Sequence, residues 1–375
     1  MSAPHVVIVH LGRAGGMGAV RRVRGLVDVF EAAGASTSEV RLRVDHKMTT
    51  GGLSARQLAA TARLDVVPET LSWSLSGVLE HLGELDPDLI VCETARAYSP
   101  AFAERWPVIL DFVDRLSVSY VDRAGSVPSR IDRARFRALA VPMRRVEQRP
   151  APPGVTRAAV GWADAQALDA TWIPMTVESP SNPGTPSGRD RAAAEHEDRA
   201  HDLVFFGNLS YAPNIEAVER LSAFWPALQR ARPGTSLLVA GARPTDEVRR
   251  LAQLHGWALR ADVADMAPVL SSARLAVVPL RHASGMQTKV LDAATVGRAQ
   301  VVSPVALSGF APGFPAAVAD DDASFVRTIV DLLEDPSSLA DLGEESRRHV
   351  MREYSVDRWS RWAGQELERL GVRSA

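Results

Sequence analysis

A chain of 375 residues, 46% hydrophobic and 23% charged, is long enough for two domains with their own cores and has the composition of an ordinary globular protein. A formal net charge of −2 provides no global field toward nucleic acid or an anionic membrane. The single cysteine, Cys92, rules out an internal disulfide, and with no signal-type N-terminus and no bilayer-length apolar run it predicts a cytoplasmic protein.

The first half alternates strands and helices. Val6–Leu11 reads as a strand, Ala19–Ala33 as a helix and Ser38–Leu42 as a second strand. Leu71–Leu85 is an amphipathic helix that stops before Pro87, and Leu89–Cys92 and Val108–Val113 are short apolar strands. An arginine-rich helix, Ile131–Gln148, is expected to break near Pro142, and Ala158–Trp162 and Thr171–Pro174 are late strands. Residues 178–202 are rich in Pro, Gly, Ser and charge without apolar periodicity, which predicts a linker or exposed loop.

A second alternating series follows. Leu203–Gly207, Ser236–Gly241 and Trp257–Ala261 are strands, separated by helices at Asn214–Arg230 and Asp246–His255, with a further helix at Ala264–Ala273. The most informative stretch comes next. A buried strand, Leu275–Leu280, leads through a loop to a helix expected from Gly285 to about Val296, and Gln300–Ser303 forms the following strand. Such a β-α-β unit presents backbone N–H groups and the positive end of a helix dipole, a ready anion site. Lys289 and Asp292 lie one turn apart just inside it, a cation for phosphate and a carboxylate for a ribose diol. Ser324–Leu333 and Ser355–Leu370 are terminal helices. The alternation as a whole predicts parallel sheets with helices on both faces.

The segment Gly285-Met286-Gln287-Thr288-Lys289-Val290-Leu291-Asp292-Ala293-Ala294 resembles the donor motif of retaining GT-B glycosyltransferases of glycosyltransferase family 4. It is closest to the exopolysaccharide-type branch written G-x-Q-x-K-V-L-E-A-M-A-x-G-R-P. The resemblance extends through Phe206-Gly207-Asn208-Leu209-Ser210-Tyr211-Ala212-Pro213-Asn214, the Leu237–Gly241 strand, the Val263–Leu270 turn and helix, and Ala319-Asp320-Asp321-Asp322. It reaches the first half through Gly15-Gly16, Asp111-Phe112-Val113-Asp114 and Ala158–Leu168. There are departures. Asp292 stands where the family usually has Glu, Asn208 and Asn214 stand where many members carry Arg and Lys, and Ala283 and Ser284 replace an acid often found ahead of the donor glycine.

The resemblance implies a GT-B fold, two doubly wound Rossmann-like α/β domains facing each other across a cleft. Residues 1–177 would form the acceptor domain and 203–354 the donor domain, with a last helix in 355–375 crossing back to the first. It implies a nucleotide-diphosphate sugar as co-substrate, no cofactor and no metal. Lys289 and the backbone at Gly285 would be catalytic, stabilising the leaving diphosphate. Gly285, Met286, Gln287, Lys289, Asp292, Gly207, Asn208, Tyr211, Asp262, Val263 and His282 would bind the donor.

Acceptor-side candidates carry bland readings beside the functional ones. Gly15 and Gly16 sit in a glycine-rich turn that either approaches a ligand or simply connects strand to helix, without dinucleotide spacing. His10 ends the first strand and is a ligand contact or a buried, satisfied histidine; Asp111 and Asp114 lie at and beyond another strand end and are acceptor contacts or structural hydrogen-bonding groups; Glu93, just past Leu89–Cys92, is a further cleft candidate. The Arg130–Arg149 segment, with seven arginines against two acids, is a transient membrane or anionic-acceptor contact or a solvated face. Asp320-Asp321-Asp322 is read as a helix cap, not a metal motif. The function expected is transfer of a sugar to a saccharide, lipid-linked or natural-product acceptor. The alternatives are a nucleotide-sugar epimerase or hydrolase, or a non-catalytic nucleotide-sugar binder.

Overall fold

The structure, a computed structural model, describes residues 3–12, 16–43, 73–127, 129–177, 200–283 and 285–372. It divides into two compact units, residues 1–178 with 355–375, and residues 179–354. Each holds a six-stranded sheet.

In the first unit the elements are β1 (His5–His10), α1 (Gly16–Ala32), β2 (Ser36–Arg41), α2 (Leu75–Leu85), β3 (Leu89–Glu93), α3 (Pro100–Ala103), β4 (Val108–Asp111), α4 (Leu116–Ser126), α5 (Arg130–Gln148), β5 (Val155–Ala159), α6 (Trp162–Leu168) and β6 (Thr171–Trp172). The strands run parallel in the order β2-β1-β3-β4-β5-β6, so the direction of winding reverses between β1 and β3. Residues alternate across the sheet as the strand period demands: Val7, Val9, Ile90 and Leu110 face one core, and Val6, Ile8, Leu89 and Ile109 the other.

The second unit contains β7 (His201–Phe206), α7 (Ala212–Ala231), β8 (Leu237–Gly241), α8 (Asp246–His255), β9 (Ala258–Ala261), α9 (Met266–Ser271), β10 (Ala273–Val278), α10 (Thr288–Thr295), β11 (Ala299–Val302), β12 (Ala317–Val318), α11 (Asp322–Glu334) and α12 (Pro336–Glu353). Its order, β12-β11-β10-β7-β8-β9, reverses between β7 and β10. The last helix, α13 (Val356–Arg369), belongs to the first unit: Val356 N–H donates to Val177 O, and Trp359, Ala363 and Leu367 join the Val6–Ile8 core.

Several expected boundaries shift for identifiable reasons. Helix α5 runs unbroken through a buried Pro142, because the first unit's core holds that face. Strand β4 stops at Asp111, since Val113 adopts φ +64, outside the strand region. Trp162 opens α6 rather than ending a strand. His201 and Asp202 already lie in β7, with His201 paired to Ala273, so they are not linker; 178–199 and Leu71 lie outside the described residues. Helices α4 and α12 were not anticipated. Asp321 does cap α11, in a reciprocal capping box with Ser324, while Asp322 is tied to Arg220 at 2.6 Å.

Candidate functional site

In an open α/β sheet the place for a ligand is beyond the carboxyl ends of the strands, where the order reverses. In the second unit that place lies at the ends of β7 and β10. Phe206 pairs with Ala240, which brings Gly207 and Gly241 side by side at the strand exits, both at φ +146. A Cβ on Gly241 would stand 1.7 Å from the Gly207 carbonyl oxygen, so this approach admits glycine alone.

The loop after β10 reaches α10, which starts at Thr288 with Gln287 as its N-cap residue. The expected start at Gly285 is corrected: that residue has φ +60, and the segment beyond it is bent against Gly309, whose Cβ would meet Met286 Cα at 2.5 Å. Met286 is buried, whereas Gly285, Gln287 and Asp292 are half-buried. Lys289, in the first turn, directs its side chain back toward the helix start, as helical side chains do. Its ammonium donates to Asn214 Oδ1 and lies 4.8 Å from the centre of the Phe205 ring. Asn214 Nδ2 donates in turn to Asn208 O at 2.8 Å, and the Asn208 side chain accepts from Ser210 N and Oγ. A Cβ on Gly207 would lie 3.2 Å from Lys289 Nζ.

Lys289 is therefore a buried amine, 8% exposed, held by an amide and a π face. Among the described residues no carboxylate pairs with it, and burial lowers its pKa to about 7. Asn214 and Phe205 escaped the sequence reading. The asparagine counted there only as a departure from an Arg/Lys pattern, yet it is the lysine's direct partner.

The other donor candidates scatter around this centre. Tyr211 is the exposed N-cap residue of α7. Asp262, after β9, donates its N–H to Gly241 O at 2.8 Å and accepts from Arg243 N, so its turn borders the glycine pair; Val263 packs against the Phe206 cluster. His282 is largely exposed and sits 3.0 Å from Glu216 of α7.

The first unit has a different centre at its own reversal point. His10, Glu93 and Asp111 end β1, β3 and β4 and point toward the α1 side; Glu93 and Asp111 are register partners. Arg22 of α1 pairs with Asp111 at 2.7 Å and donates to Pro174 O, with both side chains almost fully buried. Glu93 is 3% exposed; burial first, then neighbouring Asp111, pushes its pKa up to about 8, against the pull of Arg22 and Arg96. Burial also raises Asp114, whose carboxylate accepts from Ser119 Oγ at 3.0 Å, and Asp164, which reaches about 6. Thr94 and Val113, immediately beyond these strands, are β-branched residues at φ +71 and +64, strain of the kind found around ligand sites. His10 Nδ1 accepts from Gly12 N at 3.0 Å and its Nε2 is 3.2 Å from Glu39; burial lowers its pKa. Gly16 is the first residue of α1, and Gly15 lies outside the described residues.

Among the described residues no three His, Cys, Asp or Glu side chains gather into a metal-ligand set, and no helix is long and apolar enough to cross a membrane.

Residues 200–335 match the family model described as glycosyl transferases group 1. No curated protein sequence matches the chain. Among solved structures, a glycosyltransferase from Rickettsia africae aligns over 100% of both chains at 11% identity with a TM-score of 0.62. Anabaena Alr3699/HepE in complex with UDP-glucose aligns over 97% of this chain and 99% of its own, at 12% identity and a TM-score of 0.61. The trehalose 6-phosphate synthase from Burkholderia multivorans aligns over 99% of each chain, at 14% identity and a TM-score of 0.59. At such identities the likeness establishes the fold, the two Rossmann-like units of the GT-B architecture.

Proposed function

We propose that this chain is a retaining glycosyltransferase that moves a sugar from a nucleoside diphosphate sugar to a nucleophile of a saccharide, lipid-linked or natural-product acceptor, without a metal ion. The observation that carries the reading is Lys289. An ammonium buried with no counter-ion among the described residues is costly, and burial pushes Lys289 toward neutrality; an anion at the adjoining helix start and glycine-lined strand exit would restore its charge. The diphosphate lies over the first turn of α10, receiving hydrogen bonds from backbone N–H groups at its start and charge from Lys289. As the glycosidic bond breaks, negative charge grows on the leaving diphosphate, and these fixed donors stabilise it by about 2.7–4 kcal/mol each. Asp292, one turn further on, binds ribose hydroxyls, and the Asp262–Val263 turn holds the base.

The acceptor belongs to the first unit, beside Glu93, Asp111 and Asp114. Its nucleophile attacks on the face the diphosphate leaves, and the departing phosphate takes the proton. The motif's likeness to the exopolysaccharide-type branch supports a saccharide acceptor. Arginine-rich α5, with Ile131 81% exposed, supports transient contact with an anionic surface, and the lone buried cysteine supports a cytoplasmic setting.

Thermal unfolding against uridine, guanosine, adenosine and thymidine diphosphate sugars tests the reading. The uridine series comes first, because Alr3699/HepE is seen with UDP-glucose. A donor at one hundred times its Kd adds about 2.7 kcal/mol, a shift of several degrees. Stabilisation by one series, lost in Lys289→Met, is the expected result. No stabilisation by any series, or an equal shift in the variant, overturns the donor assignment.

A further inference from the structure

Away from both strand-end centres, the first unit contains a cavity of about 270 Å³. Its apolar wall comes from Leu110, Phe112, Val146 and Val155, with Pro150 and Pro152 at its rim. Tyr98, Pro100, Ala151, Arg149 and Arg157 complete the lining, and among the described residues no acidic side chain joins them. Strand alternation places it across the sheet from the Asp111–Arg22 pair: Leu110 and Phe112 face the cavity's side, and Asp111 the other.

Arg157 is the unusual member. It is 9% exposed and stands 5.0 Å from the centre of the Phe112 ring. Its terminal nitrogens donate to the carbonyls of Arg149 and Glu147, and its Nε–H finds no acceptor among the described residues. No carboxylate lies within ion-pair distance of it there, since Glu147 is spent on Ser117 N and Oγ. Burial lowers the Arg157 pKa, against the pull of the Asp169 and Glu147 charges. Among the described residues, a guanidinium with a buried, unsatisfied Nε–H thus forms part of an apolar wall, with a second, exposed arginine beside it and no carboxylate in the lining. A neutral apolar ligand would leave the buried Nε–H without an acceptor, and a small polar anion would leave the apolar walls uncovered.

We infer that this cavity binds a small carboxylate with a ring-sized apolar body, its anionic end between Arg149 and Arg157 and its body against Phe112, Leu110 and the prolines. A cavity of 150 Å³ accommodates benzene, so 270 Å³ takes a molecule of about ten non-hydrogen atoms. The site is independent of the nucleotide-sugar reading.

Cinnamate and 3-phenylpropionate are the probes, with cinnamamide as the uncharged control, measured by calorimetry and saturation-transfer NMR on the full chain. Binding of an acid, with the amide about ten-fold weaker or more, is expected from loss of a charge-assisted contact. Ala151→Trp, at an exposed position in the cavity's lining loop, should cut affinity by about ten-fold or more while leaving the melting temperature in place. Arg149→Gln should weaken the acids several-fold and the amide little. Lys289→Met should change nothing, which separates this cavity from the α10 anion site. Equal binding of acid and amide, retention of affinity in Ala151→Trp, loss in Lys289→Met, or no binding at millimolar concentration each overturns the proposal.

Discussion

Both units wind a six-stranded parallel sheet whose direction reverses beside its first strand, yet the ends of their central strands are electrostatic opposites. At the first unit's reversal point, acids crowd together, with Glu93, Asp111 and Asp114 near one another and one buried arginine among them. Burial there pushes carboxyl groups toward their neutral forms. At the second unit's reversal point two glycines bare the backbone and a lone lysine is pushed toward neutrality from the other side. One fold thus offers two chemistries, according to whether strand exits end in carboxylates or in glycine with a cation behind it. On the proposed function, the first would meet a hydroxyl-bearing acceptor and the second a polyanion.

The largest expected effect breaks the second site alone. Lys289→Met should lower the turnover of donor by roughly 10²–10³-fold, the usual cost of removing one preorganised donor to a leaving oxyanion. Steady-state donor hydrolysis or transfer measures it, and turnover equal to wild type would remove Lys289 from the mechanism. Next comes the glycine pair. Gly241→Ala places a methyl 1.7 Å from the Gly207 carbonyl, so roughly 3 kcal/mol or more of stability should be lost in chemical denaturation. A loss below 1 kcal/mol, of about the size of an ordinary surface change, would show that the strand exits move apart freely.

The comparison is sharpest in its pH dependence. Glu93, with its pKa raised to about 8, costs nothing below the unfolded carboxyl value and costs most once pH rises through 8. Glu93→Gln should therefore gain stability relative to wild type as pH climbs from 5 to 9, by a few kcal/mol at the order-of-magnitude level. Lys289, lowered to about 7, has the opposite sign: its contribution is intact above the unfolded lysine value and is lost as pH falls through 7. Lys289→Met should gain relative to wild type as pH drops from 10 to 6. Denaturation series of both variants across this range check the signs, and parallel profiles would refute the contrast. A smaller effect converts one site toward the other. Asn214→Asp gives Lys289 a carboxylate partner, which should raise its pKa and weaken donor binding by about ten-fold, or ~1.4 kcal/mol, in calorimetry.

Much of the fold was legible because buried parallel strands announce themselves as short apolar runs: β1, β3, β7 and β10 were found within a residue or two. Helices α4 and α12 were less legible. Mean hydropathy is close to neutral over α4 and low over α12, so no apolar run marks them. The glycine and lysine of the second site could be picked out by their spacing around a strand-loop-helix junction. Asn214 could not, because its role depends on α7 and α10 meeting at the end of β7, from positions 75 residues apart.

The sequence by itself determined the alternation, the two sheets' worth of strands, and the presence of a cation just inside a helix that follows a buried strand. These are local matters of period, glycine and charge, written in neighbouring residues. Only the tertiary structure decided that Lys289 is buried with no carboxylate beside it among the described residues, that Glu93 faces Asp111, that α10 begins at Thr288, and that Arg157 forms part of an apolar wall. The reason is physical: burial and electrostatic environment depend on which distant segments pack together, and desolvation, which sets both shifted pKa values, is a property of that packing.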